Sequence, residues 1–385
     1  MKNDSRNAGS LAQARPSRVS RSIVSLAACA ALGLAAGNVD AKQQTFGSGE
    51  VFSSAPATFP EGIVVDSNRI YVSGPANFDM TTPTIRVLNK NGNLVETITV
   101  NHADNDPADA LSCITTDDEG RLYVVSEAQG IVRLTKQGNH WKQEIYAPLP
   151  DDGLPGCRHA AQLVPDFTDP MTRVGCHMLN DLAFDKQGRL YVTDSMRATI
   201  YRIDRGGGEM ETWFESPYLV GGPPFPVGAN GVRVSPNGHE LYFTVSTSPL
   251  PELQGRGALY KLPLVELPEA EDLEAVHYFD AGLGPDGFAF GEDGEIYTTL
   301  AFSNQISVLG PNGSELARIS GPQGSSIPFD APANVAFDGK GSLLVTNHAL
   351  LSGVTADMGV LKVYVGDRGE DLFTPDVDKH GGGCH

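Results

Sequence analysis

Residues 180–195 read NDLAFDKQGRLYVTDS: an apolar strand, a turn of Asp, Lys, Gln and Gly, and a second strand centred on Tyr191. Alternating strands on either side of such a turn mark a β-hairpin. The pattern returns as DGFAFGEDGEIYTTLA at 286–301, NVAFDGKGSLLVTNH at 334–348, SCITTDDEGRLYVVSE at 112–127, NGVRVSPNGHELYFTVS at 230–246 and, in shorter form, EGIVVDSNRIYVSG at 61–74. The shared position of the second strand falls at Tyr71, Tyr123, Tyr191, Tyr242, Tyr297 and Leu344, with spacings of 52, 68, 51, 55 and 47 residues. A period near fifty built from short strands is the mark of a propeller blade. The expected fold is therefore all-β: a six-bladed β-propeller with four-stranded blades around a central, metal-binding channel. The 43 glycines and 26 prolines suit so many turns, and no long amphipathic helix interrupts them; the best short candidate lies at Pro268–Glu274.

When the six hairpins are aligned on their turns, the residues matching Asn180 are Glu61, Ser112, Asn230, Asp286 and Ala333. The first strand of each blade lines the channel, so these positions fall at one height around the axis. Two carboxylates and two amides converging there repel one another or lack partners, and a hard divalent cation resolves both problems. Calcium takes six to eight oxygens of this kind. Glu61, Asn180, Asn230 and Asp286 are the expected metal ligands, with Ser112 close by, and the sulfur-free set favours Ca²⁺, with Mg²⁺, Mn²⁺ or Zn²⁺ as alternatives. Against this stands the plain reading of Glu-Gly, Asn-Gly and Asp-Gly as turn dipeptides.

In an antiparallel hairpin the second strand ends beside the start of the first. Glu127, Asp194, Ser195, Ser246, Asn347 and His348 therefore share the ring's face. His177 enters the same face three residues before Asn180. An imidazole titrating near neutrality suits general acid–base work, which makes His348 and His177 catalytic candidates. Asp181, adjacent to Asn180, and Ser112 are expected substrate contacts.

The motifs LNDLAFDKQGRLYVTDS, GANGVRVSPNGHELYFT and GPDGFAFGEDGEIYTTL, with the early Glu61-Gly62, resemble the senescence-marker-protein/gluconolactonase/luciferin-regenerating-enzyme-like six-bladed propellers over about residues 50–365. The resemblance implies one divalent metal held by Glu61, Asn230 and Asp286. It also implies that Asn180 is a further ligand or substrate contact, and that Asp286 is the residue able to switch between ligand and base. Sugar-lactone members resembling regucalcin carry an Arg two residues before the Asn of the LND motif; here the position is Met178, an apolar and adaptable wall. The expected activity is hydrolysis of a lactone or related ester of low polarity rather than a sugar lactone. A non-enzymatic binding propeller with a structural cation, or another reaction on the same scaffold such as phosphotriester hydrolysis or isomerisation, is the alternative.

The remaining expectations concern export and partners. Lys2, Arg6, Arg15, Arg18 and Arg21 precede an apolar run from Ile23 to Ala36, and small residues at Val39-Asp40-Ala41 offer a cleavage site, so residues 1–41 read as a secretory signal. The expected location is secreted or periplasmic. A competing reading takes Leu26-Ala27-Ala28-Cys29 as a lipobox with Cys29 as the anchor. The leader carries five basic and two acidic residues, so the chain's charge of −19 becomes −22 beyond it. Such a surface disfavours nucleic acid and anionic membranes and leaves a small molecule as the expected partner. Cys157 and Cys176 flank a Pro-rich stretch that a disulfide would pin after export. Cys113 reads as a buried thiol. The propeller is expected over 42–370, with a flexible tail over 371–385.

Overall fold

The computed structural model describes residues 44–378, apart from 55–57, 77–81, 103–108, 152–176 and 224–225. The signal and lipobox readings at 1–41 and the Cys157–Cys176 pairing lie outside the described residues. Within them the chain forms six four-stranded antiparallel sheets. The innermost strands, in chain order, are Ile63–Val65, Leu111–Thr116, Leu179–Phe184, Ala229–Val234, Pro285–Phe290 and Pro332–Phe337. They define blades 1 to 6, and each touches the inner strands of the blades before and after it, closing a ring. The fold is a six-bladed β-propeller. The only helical turns among the described residues are short 3₁₀ segments such as Ala270–Asp272, inside the stretch singled out above.

Six apolar cores hold the ring together, one at each blade–blade interface. The repeated aromatic position sits in these interfaces: Tyr71 between blades 1 and 2, Tyr123 between blades 2 and 3, Tyr191 between blades 3 and 4, Tyr297 between blades 5 and 6. Tyr123 packs edge-on against Phe184 of the next blade at 5.0 Å. A sheet face buried against its neighbour on both sides explains why the strands read as nearly continuous apolar runs.

Ring closure mixes the two ends of the described chain. Blade 6 is built from Pro332–Phe337, Ser342–Asn347 and Gly359–Tyr364, and its outer strand is Gly49–Ser53, pairing Gly49 with Val363 and Val51 with Leu361. Residues beyond 370 depart from the expected flexible tail. Val377 is 1% exposed within the core between blades 2 and 3, and Asp378 pairs with Arg121 and with Arg133 at 3.2 Å. Apolar burial and two guanidinium partners hold Val377 and Asp378 against the propeller, and the rest of the expected tail, 379–385, lies outside the described residues.

Candidate functional site

The inner strands do not begin cleanly, and the reason answers what Asn180 and Asp181 face. Leu179 pairs with Asp194, but the next pair is Leu182 with Val192, so Asn180 and Asp181 together oppose the single residue Thr193. This is a β-bulge, which leaves the ladder locally unpaired and re-aims side chains. The same two-against-one register places Ser112-Cys113 opposite Val125, Asn230-Gly231 opposite Thr244, Asp286-Gly287 opposite Thr299, and Ala333-Asn334 opposite Thr346. In blade 1, Glu61 N–H donates to Ser73 O and Ser73 N–H to Gly62 O, giving the equivalent arrangement.

The first residue of each bulge forms the ring, and the second packs toward the next blade. Space there is minimal: a Cβ on Gly231 would lie 2.6 Å from Asp286 O, and one on Gly287 2.4 Å from the Asn334 side chain. The Gly of Asn-Gly and Asp-Gly is thus required by close strand packing, not by a turn. The hydroxyl opposite each bulge then bonds the ring residue of the following blade. Thr193 Oγ1 donates to Asn230 O (2.5 Å), Thr244 to Asp286 O (2.8 Å), Thr299 to Ala333 O (2.8 Å), Thr346 to Glu61 O (2.7 Å), and Ser73 to Ser112 O. Blade 2 has Val125 at this place, and Ser112 Oγ instead donates to Leu179 O at 3.1 Å. These bonds fix the carbonyl behind each ring side chain and so the height of the ring.

One tier further out lies the residue following each second strand. Glu127, Ser195, Ser246, Ala301 and His348 each donate their N–H to the carbonyl two residues before the local ring position. Ring and tier together border a cavity of about 300 Å³. Its floor carries Glu61, Ser112, Asn180, Asn230 and Asp286; Glu127, Ser246 and His348 stand above; Met178, Met196, Val227, Phe302, Leu350 and Leu351 form an apolar wall. The structure therefore brings Glu61, Asn180, Asn230, Asp286, Ser112, Met178 and His348 to one place.

Two predicted residues lie elsewhere. Asp181, 1% exposed, does not line the cavity: its Oδ2 is 2.6 Å from Arg233 Nη1 and accepts from Val232 N–H. Arg233 continues to Asn334 Oδ1 (3.1 Å), and Asn334 to Cys113 Sγ (3.0 Å), so the second bulge residues make their own buried polar chain. His177 is also off the cavity wall. Its Nδ1 lies 2.6 Å from Asp194 Oδ2, while Asp194 Oδ1 accepts from the N–H groups of Met178 and Met196, each at 3.1 Å. The pair orders the two cavity methionines.

Electrostatics at the ring are strained without a counter-charge. Burial, with Asp181 adding to it, pushes the Glu61 carboxyl up to about 8. Burial and then Glu61 push Asp286 well above the usual carboxylate range. Burial lowers His348 to about 4, leaving a neutral imidazole whose Nδ1 is 3.6 Å from Glu61 Oε2 and whose ring meets Phe59 edge-on at 5.5 Å. Four buried polar atoms bordering the cavity have no hydrogen-bond partner: Glu127 Oε2, Asn180 Oδ1, Asn230 Oδ1 and His348 Nε2. Buried acceptors are ordinarily satisfied, so such a group of orphans needs an explanation. Amide oxygens beside two carboxylates fit an oxygen-seeking cation. No three His, Cys, Asp or Glu side chains cluster as ligands among the described residues, so such a site depends on its amides as much as on its carboxylates.

A model of the SMP-30/gluconolactonase/LRE-like region matches residues 59–349. The chain belongs to this family. Among solved structures, the fold is similar to that of a calcium-binding regucalcin of Agrobacterium tumefaciens, with 17% identity, TM-score 0.57, and coverage of 87% of this chain and 98% of that one. A luciferin-regenerating enzyme matches at 16% identity and TM-score 0.55 over 83% and 97% of the two chains. A gluconolactonase of Xanthomonas campestris matches at 14% and 0.52 over 80% and 87%. At these identities the likeness is one of fold. No curated protein matches by sequence. No helix among the described residues is long and apolar enough to cross a membrane.

The turn-aligned repeat located the ring, but not the cavity's upper wall. Phe302, Leu350 and Leu351 follow the second strands of blades 5 and 6 in loops without periodicity, and their only signal was that position.

Proposed function

We propose that the protein hydrolyses a lactone or related ester bearing an apolar substituent, with one divalent cation, calcium first, held by Glu61, Asn180, Asn230 and Asp286. The observation that carries this reading is the floor of the cavity. Four blades deliver two carboxylates and two unpartnered amide oxygens to one place beneath an apolar wall. Membership of a family that includes gluconolactonases supports the reaction class. Bound there, a hard cation supplies Lewis-acid polarisation of the carbonyl and charge stabilisation for the departing oxygen.

The chain's own groups do the rest. Asp286, once ionised, takes a proton from the attacking water. His348 stays neutral, and in the tautomer with its proton on Nδ1 facing Glu61, Nε2 offers that water a lone pair. Asn180 and Ser112 border the acyl carbonyl's side of the cavity. Met178, Met196, Phe302, Leu350 and Leu351 take the substituent and exclude bulk water. Met178 stands where a guanidinium would meet a polyhydroxylated ring, so the preference is for apolar substrates. The basic–apolar leader at 1–41 directs the chain to the periplasm or beyond.

The test is a panel of apolar lactones, sugar lactones and aryl esters assayed after chelation and again with Ca²⁺, Mg²⁺, Mn²⁺ or Zn²⁺ restored. The expected result is turnover of an apolar lactone that chelation abolishes, calcium restores and Asp286→Ala removes. Absence of turnover with every metal overturns the reading. A cation-dependent melting shift without turnover would assign the propeller to ligand binding instead.

A further inference from the structure

The tier above the ring contains one residue with no part in the steps above. Ser195, Ser246, Ala301, His348 and Glu127 occupy equivalent backbone positions. Ser195 Oγ donates to Ala229 O at 2.6 Å and Ser246 Oγ to Pro285 O at 2.8 Å, so these two tie blades together; Ala301 shows that no polar group is needed. Glu127 makes no such tie. Its side chain is buried, Oε1 lies 3.2 Å from Ser112 Oγ, whose one proton is shared with Leu179 O, and Oε2 borders the cavity without a partner. A carboxyl kept in a buried place that its counterparts fill with Ser, Ala or a neutral His is costly unless it acts on a ligand.

Resting on the hydrolysis proposed above, the geometry points to Glu127 as a further catalytic residue: the general acid that protonates the leaving alkoxide. It and His348 hold the same tier in blades 2 and 6, on either side of blade 1, so the acid and the water-orienting imidazole flank the substrate from opposite sides of Glu61. The step balances without a co-reactant. Water oxygen bonds to the acyl carbon while Asp286 takes one of its protons; the acyl C–O bond then breaks, and its electron pair takes the proton from Glu127 Oε2. A lactone yields a single hydroxy acid, an open ester an alcohol and an acid, and the proton now on Asp286 returns through solvent to Glu127 before the next turnover. Burial raises the Glu127 carboxyl to about 8, and Asp109, Glu61 and Asp194 act in the same direction against the Ser112 hydrogen bond, which favours the protonated form that an acid starts from.

The experiment compares Glu127→Gln with the wild type on an alkyl lactone and on a p-nitrophenyl ester of matched acyl chain. The phenolate leaves without a proton and the alkoxide does not. Loss of a general acid should lower kcat on the lactone by about 100-fold or more and leave the aryl ester within about threefold. Calcium affinity and melting temperature, measured on the same samples, report whether the site is intact, and Glu127→Asp should recover part of the lactone activity. Equal losses on both substrates, or none on either, overturn the assignment. Wild-type protein inert toward both substrates refutes the hydrolase reading itself, which separates the two failures.

Discussion

Cation binding at this ring should expel protons, and the number is set by the buried carboxyls. With the Glu61 carboxyl at about 8, roughly nine-tenths of the metal-free protein carries that proton at pH 7, and it must leave before a cation can bind. Asp286 is raised as well, mainly by burial and then by Glu61. Calcium requires both as carboxylates, so binding at pH 7 should release between about one and two protons. Apparent affinity should then tighten by up to about tenfold per pH unit for each proton released as pH rises toward 8. Calorimetric titration of calcium in PIPES, HEPES and Tris at pH 7 reads the proton count from the dependence of the observed heat on buffer ionisation enthalpy. Heats independent of buffer, together with a pH-independent Kd, would refute the ring as drawn. The same linkage acts on stability. A carboxyl raised from 4.5 to about 8 on folding stabilises the metal-free protein below about pH 4.5, and that contribution fades as pH rises through 8. His348, depressed to about 4, acts oppositely: its contribution is present above about 6.5 and fades as pH falls through 4.

Other outcomes follow from particular contacts. Gly231→Ala forces a Cβ to 2.6 Å from Asp286 O, so it should lower stability by about 1–3 kcal/mol and weaken calcium binding, checked by denaturant unfolding and calorimetry. Thr346→Val removes the hydroxyl that Glu61 O accepts from and should cost about 1–2 kcal/mol of unfolding free energy. Arg233→Met leaves Asp181 buried without its partner and should cost about 3–5 kcal/mol, readable as a fall in the urea midpoint. His348→Gln should slow lactone turnover while leaving calcium affinity unchanged; full activity would assign the imidazole a structural role.

Much of the architecture was legible because the hairpin turn recurs in register, and turn chemistry is local. The aligned column that begins with Glu61 and Asn180 found the cavity floor for the same reason: a bulge recurs at one place in every blade. What the bulge does to the next residue was not legible. Asn180 and Asp181 read as one polar pair, yet two residues opposing Thr193 are sent to different surroundings, one to the cavity and one to Arg233. The closing strand Gly49–Ser53 pairs with a segment more than three hundred residues away, and nothing in five residues encodes so distant a partner. Val377 and Asp378 lie in an Asp- and Gly-rich end that reads as a tail, because their apolar pocket and guanidinium partners are assembled only by blades 2 and 3. Glu127 stood on the correct face in sequence, but its lack of a partner is a property of the packed site alone.

The reaction proposed here stands on Glu61, Asn180, Asn230 and Asp286 jointly holding one cation. A crystal structure of the calcium-loaded protein tests it most directly. The expected result is a single peak on the propeller axis with oxygens of all four side chains at about 2.3–2.6 Å. Calcium bound elsewhere, or a ring left without density at saturating calcium, would contradict it.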